Sequence, residues 1–163
     1  MKPRILLLSL ALPALAACGG GEDDGRDLTL PVISDAGLTA NPTDCQHYSQ
    51  GDTIAVRYLL ADNVELGRYN IEVHHNFDHH THSTSAVTCP LLPKQANGAG
   101  AWVYNQDFDI PSGLTSYVTT ANVPIPADAL PGDYHFMIRL TDRAGWQQLR
   151  SVAIRVVERP TLP

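Results

Sequence analysis

Gly132-Asp133-Tyr134-His135-Phe136-Met137-Ile138-Arg139-Leu140-Thr141-Asp142-Arg143-Ala144-Gly145-Trp146 decides how this chain folds. Tyr134, Phe136, Ile138 and Leu140 fall on one side of it, and His135, Met137 and Arg139 on the other. Such a period of two is what a strand with one buried face requires. Pro131-Gly132-Asp133 launches the run, and Asp142 to Gly145 supplies the polar and small residues of a tight turn. Beyond the turn Val152, Ile154 and Val156 alternate again. The stretch therefore predicts a long antiparallel hairpin at the end of the chain.

Working upstream, the same period recurs. Residues 53–60 turn Ile54, Val56, Tyr58 and Leu60 inward, and residues 67–75 do the same with Tyr69, Ile71 and Val73. Weaker strand signals lie at Leu28 to Ile33, Trp102 to Ile110 and Leu114 to Ile125, where Pro111, Pro124 and Pro126 restrict them to edges or ends. No segment carries a convincing helical period. The pattern predicts an all-β domain, an immunoglobulin-like β-sandwich of about seven antiparallel strands in two sheets. It would span residues 28–158, with a C-terminal tail at 159–163. The stretch from Gly132 to Trp146 also resembles the last two strands of bacterial Ig-like domains.

The first residues carry an address. Lys2 and Arg4 precede an apolar run, Ile5 to Ala17, that is too short to span a bilayer. It ends in Leu15-Ala16-Ala17-Cys18, which resembles a bacterial lipobox. The resemblance implies a signal peptide at 1–17, cleavage before Cys18 and lipid attachment there. Residues 18–27, including Gly19-Gly20-Gly21-Glu22-Asp23-Asp24-Gly25, read as a flexible tether. Without residues 1–17, which hold two bases and no acid, the formal charge moves from −6 to −8. That charge argues against nucleic acid and anionic lipid as partners and favours cations near the surface. Location in the cell envelope follows, anchored by lipid, with the outer membrane favoured at either its periplasmic or its surface face. The membrane is then a partner through the anchor alone.

Cys45 and Cys89 remain, an even count in an oxidising compartment, and are expected to form one disulfide. It would close a loop of about 45 residues and contribute roughly 3–4 kcal/mol. The competing arrangement, two thiolates joining a metal site, belongs more to the cytosol.

Inside that loop lies His74-His75-Asn76-Phe77-Asp78-His79-His80-Thr81-His82, which holds five of the seven histidines. In an Ig-like sandwich the end of the 67–75 strand meets the start of the 133–141 strand. His74 and His135 both have outward parity and should be neighbours on one sheet face. The metal ligands expected are His74, His79, His80, His82 and His135. His75, of inward parity, Asp78 and His47 are secondary candidates, and Asp78 would suit orienting an imidazole. Three or four imidazoles suit Zn²⁺ or Cu²⁺, with Ni²⁺ and Co²⁺ as alternatives. Asp62 and Asp142 fall at the opposite pole, where turn capping accounts for them ahead of calcium ligation.

Residues 69–84, 102–111 and 131–147 resemble an uncharacterised family of bacterial lipoproteins with one Ig-like domain of unknown function. The pieces that carry the likeness are Ile71 through Ser83, with its histidine motif, and Gly132-Asp133-Tyr134-His135-Phe136. The resemblance implies the sandwich and the lipid anchor and no particular activity. No serine elbow, phosphate loop or His-Glu-x-x-His helix is present, so no enzyme is expected. Two functions fit the sequence. One is a metal-binding lipoprotein for scavenging, buffering or delivery, working with an outer-membrane transporter or surface partner. The other is an interaction module for a protein or glycan, with the histidines free of metal.

Overall fold

The computed structural model describes residues 25–82, 84–96 and 100–160. The expected signal peptide, Cys18, most of the expected tether and the end of the expected C-terminal tail lie outside the described residues. Among the described residues ten strands form, in chain order: β1 (Val32–Ser34), β2 (Gln46–Ser49), β3 (Thr53–Ala55), β4 (Leu59–Ala61), β5 (Leu66–His75), β6 (Tyr104–Asp109), β7 (Ser116–Val118), β8 (Asn122–Pro124), β9 (Gly132–Asp142) and β10 (Gln147–Val157). The main sheet has the order β2-β10-β9-β5-β6. Opposite it lie the short sheets β1-β4-β7 and β3-β8. One hydrophobic core is shared by the two layers. Ile54 and Leu60 from the short strands, with Tyr58 from the link between β3 and β4, meet Tyr69, Ile71, Phe136, Ile138 and Ile154 from the main sheet. Each such burial contributes on the order of 1.5–3 kcal/mol before chain entropy is set against it. The molecule is all-β, as the alternation requires.

Three details depart from expectation. The segments read as single strands at 53–60 and 114–125 are each broken in two. Arg57 leaves the first to bridge Asn41, and the Thr119 hydroxyl, rather than a carbonyl, accepts the Tyr58 amide proton. The antiparallel expectation is also corrected, because β2 runs parallel to β10, pairing Gln46 through Ser49 with Ile154 through Val157. Strand β2 reads Gln-His-Tyr-Ser and puts only Tyr48 into the core, so no apolar period announces it. Finally, the first half of β9 is buried on both faces, Asp133 and His135 included.

The long connection from β5 to β6 causes that second burial by crossing the outer face of the main sheet. Cys89 is bonded to Cys45 at the sheet's edge. The Ser151 amide donates to the Thr84 hydroxyl at 2.9 Å, and the Leu92 amide donates to the Asp133 carboxylate at 2.7 Å. Arg155 joins the same carboxylate at 2.7 Å and also donates to the Pro90 carbonyl.

Candidate metal centre

Burial of Tyr69, Ile71 and Val73 turns Glu72 and His74 outward on β5, and burial of Tyr134 and Phe136 does the same for His135 on β9. The register sets His74 directly opposite His135. Past His75 the Asn76 amide donates to the Asp133 carbonyl at 2.7 Å, which extends the pairing. Phe77 then plunges inward, 2% exposed, with its ring 5.5 Å from that of Tyr134. It fits because residue 132 is glycine, where an added Cβ would come within 2.4 Å of the Phe77 ring. His79 adopts φ +63° and donates its amide to the Asn76 carbonyl at 3.2 Å. The reversal carries His80 and His82 back over His74 and His135.

Four imidazole rings result, and their six centroid separations run from 4.9 to 5.5 Å. The rings thus occupy the corners of a nearly regular tetrahedron. With Zn–N bonds of about 2.0–2.1 Å, and the ring centre about 1.2 Å further on, a tetrahedral four-imidazole shell has centroids about 5 Å apart. Nitrogens of His74, His80 and His82 lie within 4.8 Å of one another, a triad that could hold a metal ion. The His135 ring fills the fourth corner.

Hydrogen bonds set the tautomers. His74 Nδ1 donates to Glu72 Oε1 at 3.0 Å, and His80 Nδ1 donates to Asp78 Oδ1 at 2.5 Å. In each ring Nε2 is left with a bare lone pair, the arrangement seen where a carboxylate orients a metal-binding imidazole. His135 Nε2 donates to the His80 carbonyl at 3.0 Å. Its Nδ1 is buried without a partner.

The cluster also favours neutral rings, the form that binds metal. Burial lowers the His74 pKa, against the pull of Glu72, and the charges of His82 and His80 add to the lowering. His135 is pushed down to about 4, chiefly by burial. The hydrogen bond to the His80 backbone opposes that shift, and the three neighbouring rings reinforce it. The hydrogen bond from His80 draws Asp78 down to about 2.

A pH dependence of stability follows from His135. Unfolded histidine binds a proton near pH 6.5, which folded His135 resists until about pH 4. Stability present at pH 7 is therefore lost as pH falls through that interval, by on the order of 3 kcal/mol. Urea unfolding of chelator-treated protein at pH 7 and pH 4.5 should show the lower midpoint at pH 4.5, and a His135→Phe variant should narrow the gap.

The other histidines stand apart from the four-ring set. His79 Nε2 donates to the Leu92 carbonyl at 2.8 Å and ties together the two limbs of the long connection. His75 faces inward with its ring 4.9 Å from Phe77, and its Nδ1 is buried without a partner. His47 is exposed on β2, in register with Arg155, and lines a shallow groove with Cys45, Cys89 and Leu91. Asp78 is placed to orient His80. The His80 carbonyl, which fixes the His135 tautomer, had no signal in the sequence because a backbone contact depends on the path of the loop.

Fold and cluster together define a β-sandwich domain with a histidine triad able to hold a metal ion. The chain belongs to the family described as a domain of unknown function, DUF4625, whose profile matches residues 16–157. Among curated proteins none matches. Among solved structures, a Corynebacterium diphtheriae protein provisionally described as membrane anchored aligns at 17% identity and a TM-score of 0.37. The alignment covers 82% of this chain and 37% of that one, so this chain spans well under half of its neighbour's length. No helix among the described residues is long and apolar enough to cross a membrane.

Proposed function

We propose that this domain captures one transition-metal ion, Zn²⁺ or Cu²⁺, at the histidine-bearing pole of a lipid-anchored envelope protein. Its role would be scavenging, buffering or delivery. The near-tetrahedral packing of four imidazoles carries the reading. His74, His80 and His82 supply one nitrogen each, and His135, whose Nδ1 has no hydrogen-bond partner, supplies the fourth once its ring turns toward them. The donor set is all nitrogen, because Cys45 and Cys89 are consumed by their disulfide. Imidazole alone suits Zn²⁺ and Cu²⁺ over Cu⁺, with Ni²⁺ and Co²⁺ as weaker fits.

Topology supports an orientation for the site. Strand β9 carries His135 near its start and Asp142 at its end, about 23 Å apart at strand rise. The Trp146 indole donates to the Asp27 carbonyl at 2.8 Å, so the chain enters the domain at the Asp142 end. An anchor at Cys18 would hold that end toward the lipid and present the imidazoles away from it, where a transporter or surface partner could reach them.

Titration of EDTA-stripped protein tests the reading. One equivalent of Zn²⁺ or Cu²⁺ should bind, and at 100-fold excess over Kd it should add about 2.7 kcal/mol of stability. A melting temperature indifferent to Zn²⁺, Cu²⁺, Ni²⁺ and Co²⁺ would sink the idea. The orienting carboxylates give a finer measurement: Glu72→Gln and Asp78→Asn should each weaken affinity by roughly tenfold while leaving the fold intact.

A further inference from the structure

We infer that the opposite pole carries a second, chemically distinct site, for Ca²⁺, built from Asp27, Asp62 and Asp142. One carboxylate oxygen from each lies within 4.8 Å of the others. Opposed oxygens in a calcium shell, with bonds of 2.3–2.6 Å, stand about 4.8 Å apart, so the three fit around one ion.

The disposition of individual oxygens separates this cluster from ordinary acidic surface. Asp142 is only 4% exposed. Its Oδ1 accepts the amide protons of Gly145 and Trp146 at 2.7 and 2.8 Å and so closes the β9–β10 turn. Its Oδ2 is buried and has no hydrogen-bond partner. Asp62 repeats the arrangement: Oδ2 accepts the amide protons of Val64 and Glu65, both at 2.8 Å, while Oδ1 is buried and unpartnered. Turn capping therefore explains one oxygen of each residue and leaves the other unaccounted for. A desolvated carboxylate oxygen without a donor is costly, and a hard divalent cation relieves two of them at once. Oxygen-only donors select Ca²⁺ over Zn²⁺ or Cu²⁺. Ca²⁺ is favoured over Mg²⁺ because three carboxylates from separate segments suit its irregular, higher coordination.

Asp27 gives the site a purpose. It lies just ahead of the first strand, whereas Asp62 follows β4 and Asp142 ends β9. A bound Ca²⁺ would clamp the entering chain to two turns of the sandwich and stiffen the junction between tether and domain. The site shares no residue with the histidine cluster, so either can fail without the other.

The test uses the full chain, stripped with EGTA and titrated with CaCl₂, with melting temperature and tryptophan emission as readouts. Trp146 touches both Asp27 and Asp142 and serves as the reporter. Wild type should gain roughly 5 °C or more at saturation. The same gain is expected in a His80→Ala/His82→Ala variant. Asp27→Ala, which removes a partly buried side chain outside every strand, should need at least about tenfold more Ca²⁺. Asp62→Asn should do the same while keeping its turn acceptor. No response in wild type up to about 10 mM CaCl₂ overturns the site. So does an unchanged midpoint in both aspartate variants, or an equal response to MgCl₂.

Discussion

Replacing His80 and His82 together with alanine should abolish metal capture, with Zn²⁺ affinity falling by at least about 1,000-fold. Both rings sit on the connection between β5 and β6, not on a strand, so their loss leaves the sheet register untouched. The variant should melt within a degree or two of chelated wild type, since neither ring is a member of the hydrophobic core. Zn²⁺ should no longer raise its melting temperature. The pairing of intact fold with lost response is the informative outcome. If the double variant binds Zn²⁺ as tightly as wild type, the ion sits elsewhere and the tetrahedral cluster is only a set of stacked rings.

The second large effect concerns the disulfide. A Cys45→Ser/Cys89→Ser variant frees a loop whose ends are 44 residues apart. Loop-closure entropy puts the loss at about 4 kcal/mol, enough to lower the melting temperature by roughly 10–20 °C in a domain of this size. Metal affinity should fall as well, because Cys89 holds down the limb that returns from His82. Thermal unfolding under oxidising and reducing conditions measures the first effect, and Zn²⁺ titration of the serine variant below its melting point measures the second. Equal Zn²⁺ affinity with and without the cross-link would show that Phe77 and the Thr84–Ser151 contacts position the histidines by themselves.

How much of this was legible beforehand can be judged residue by residue. Alternation placed Tyr69, Ile71, Val73, Tyr134, Phe136 and Ile138 in the core, and parity plus sandwich topology set His74 beside His135. Those inferences rest on the two-residue period of a strand, which sequence records directly. Strand β2 escaped because an edge strand held by hydrogen bonds to β10 needs only one apolar residue. His79 was grouped with His80 and His82 because proximity in sequence says nothing about a left-handed residue at the reversal. That single backbone conformation sends the His79 ring to Leu92 while the next two turn toward the sheet. Asp27 had no signal, since a carboxylate in a Gly-rich approach looks like solvated tether until Trp146 fixes where the chain enters.

Phe77 lies in the core between two groups of histidines, under a glycine that leaves room for nothing larger. Its burial fastens one end of the histidine arch, as the cystine fastens the other. The arch is thus seated by the same collapse that builds the sandwich, and the disorder it gives up is surrendered during folding rather than at the moment an ion arrives. Capture then asks for little beyond the turning of rings, so the affinity of the tip is set by the chemistry of the donors and not by the labour of gathering them.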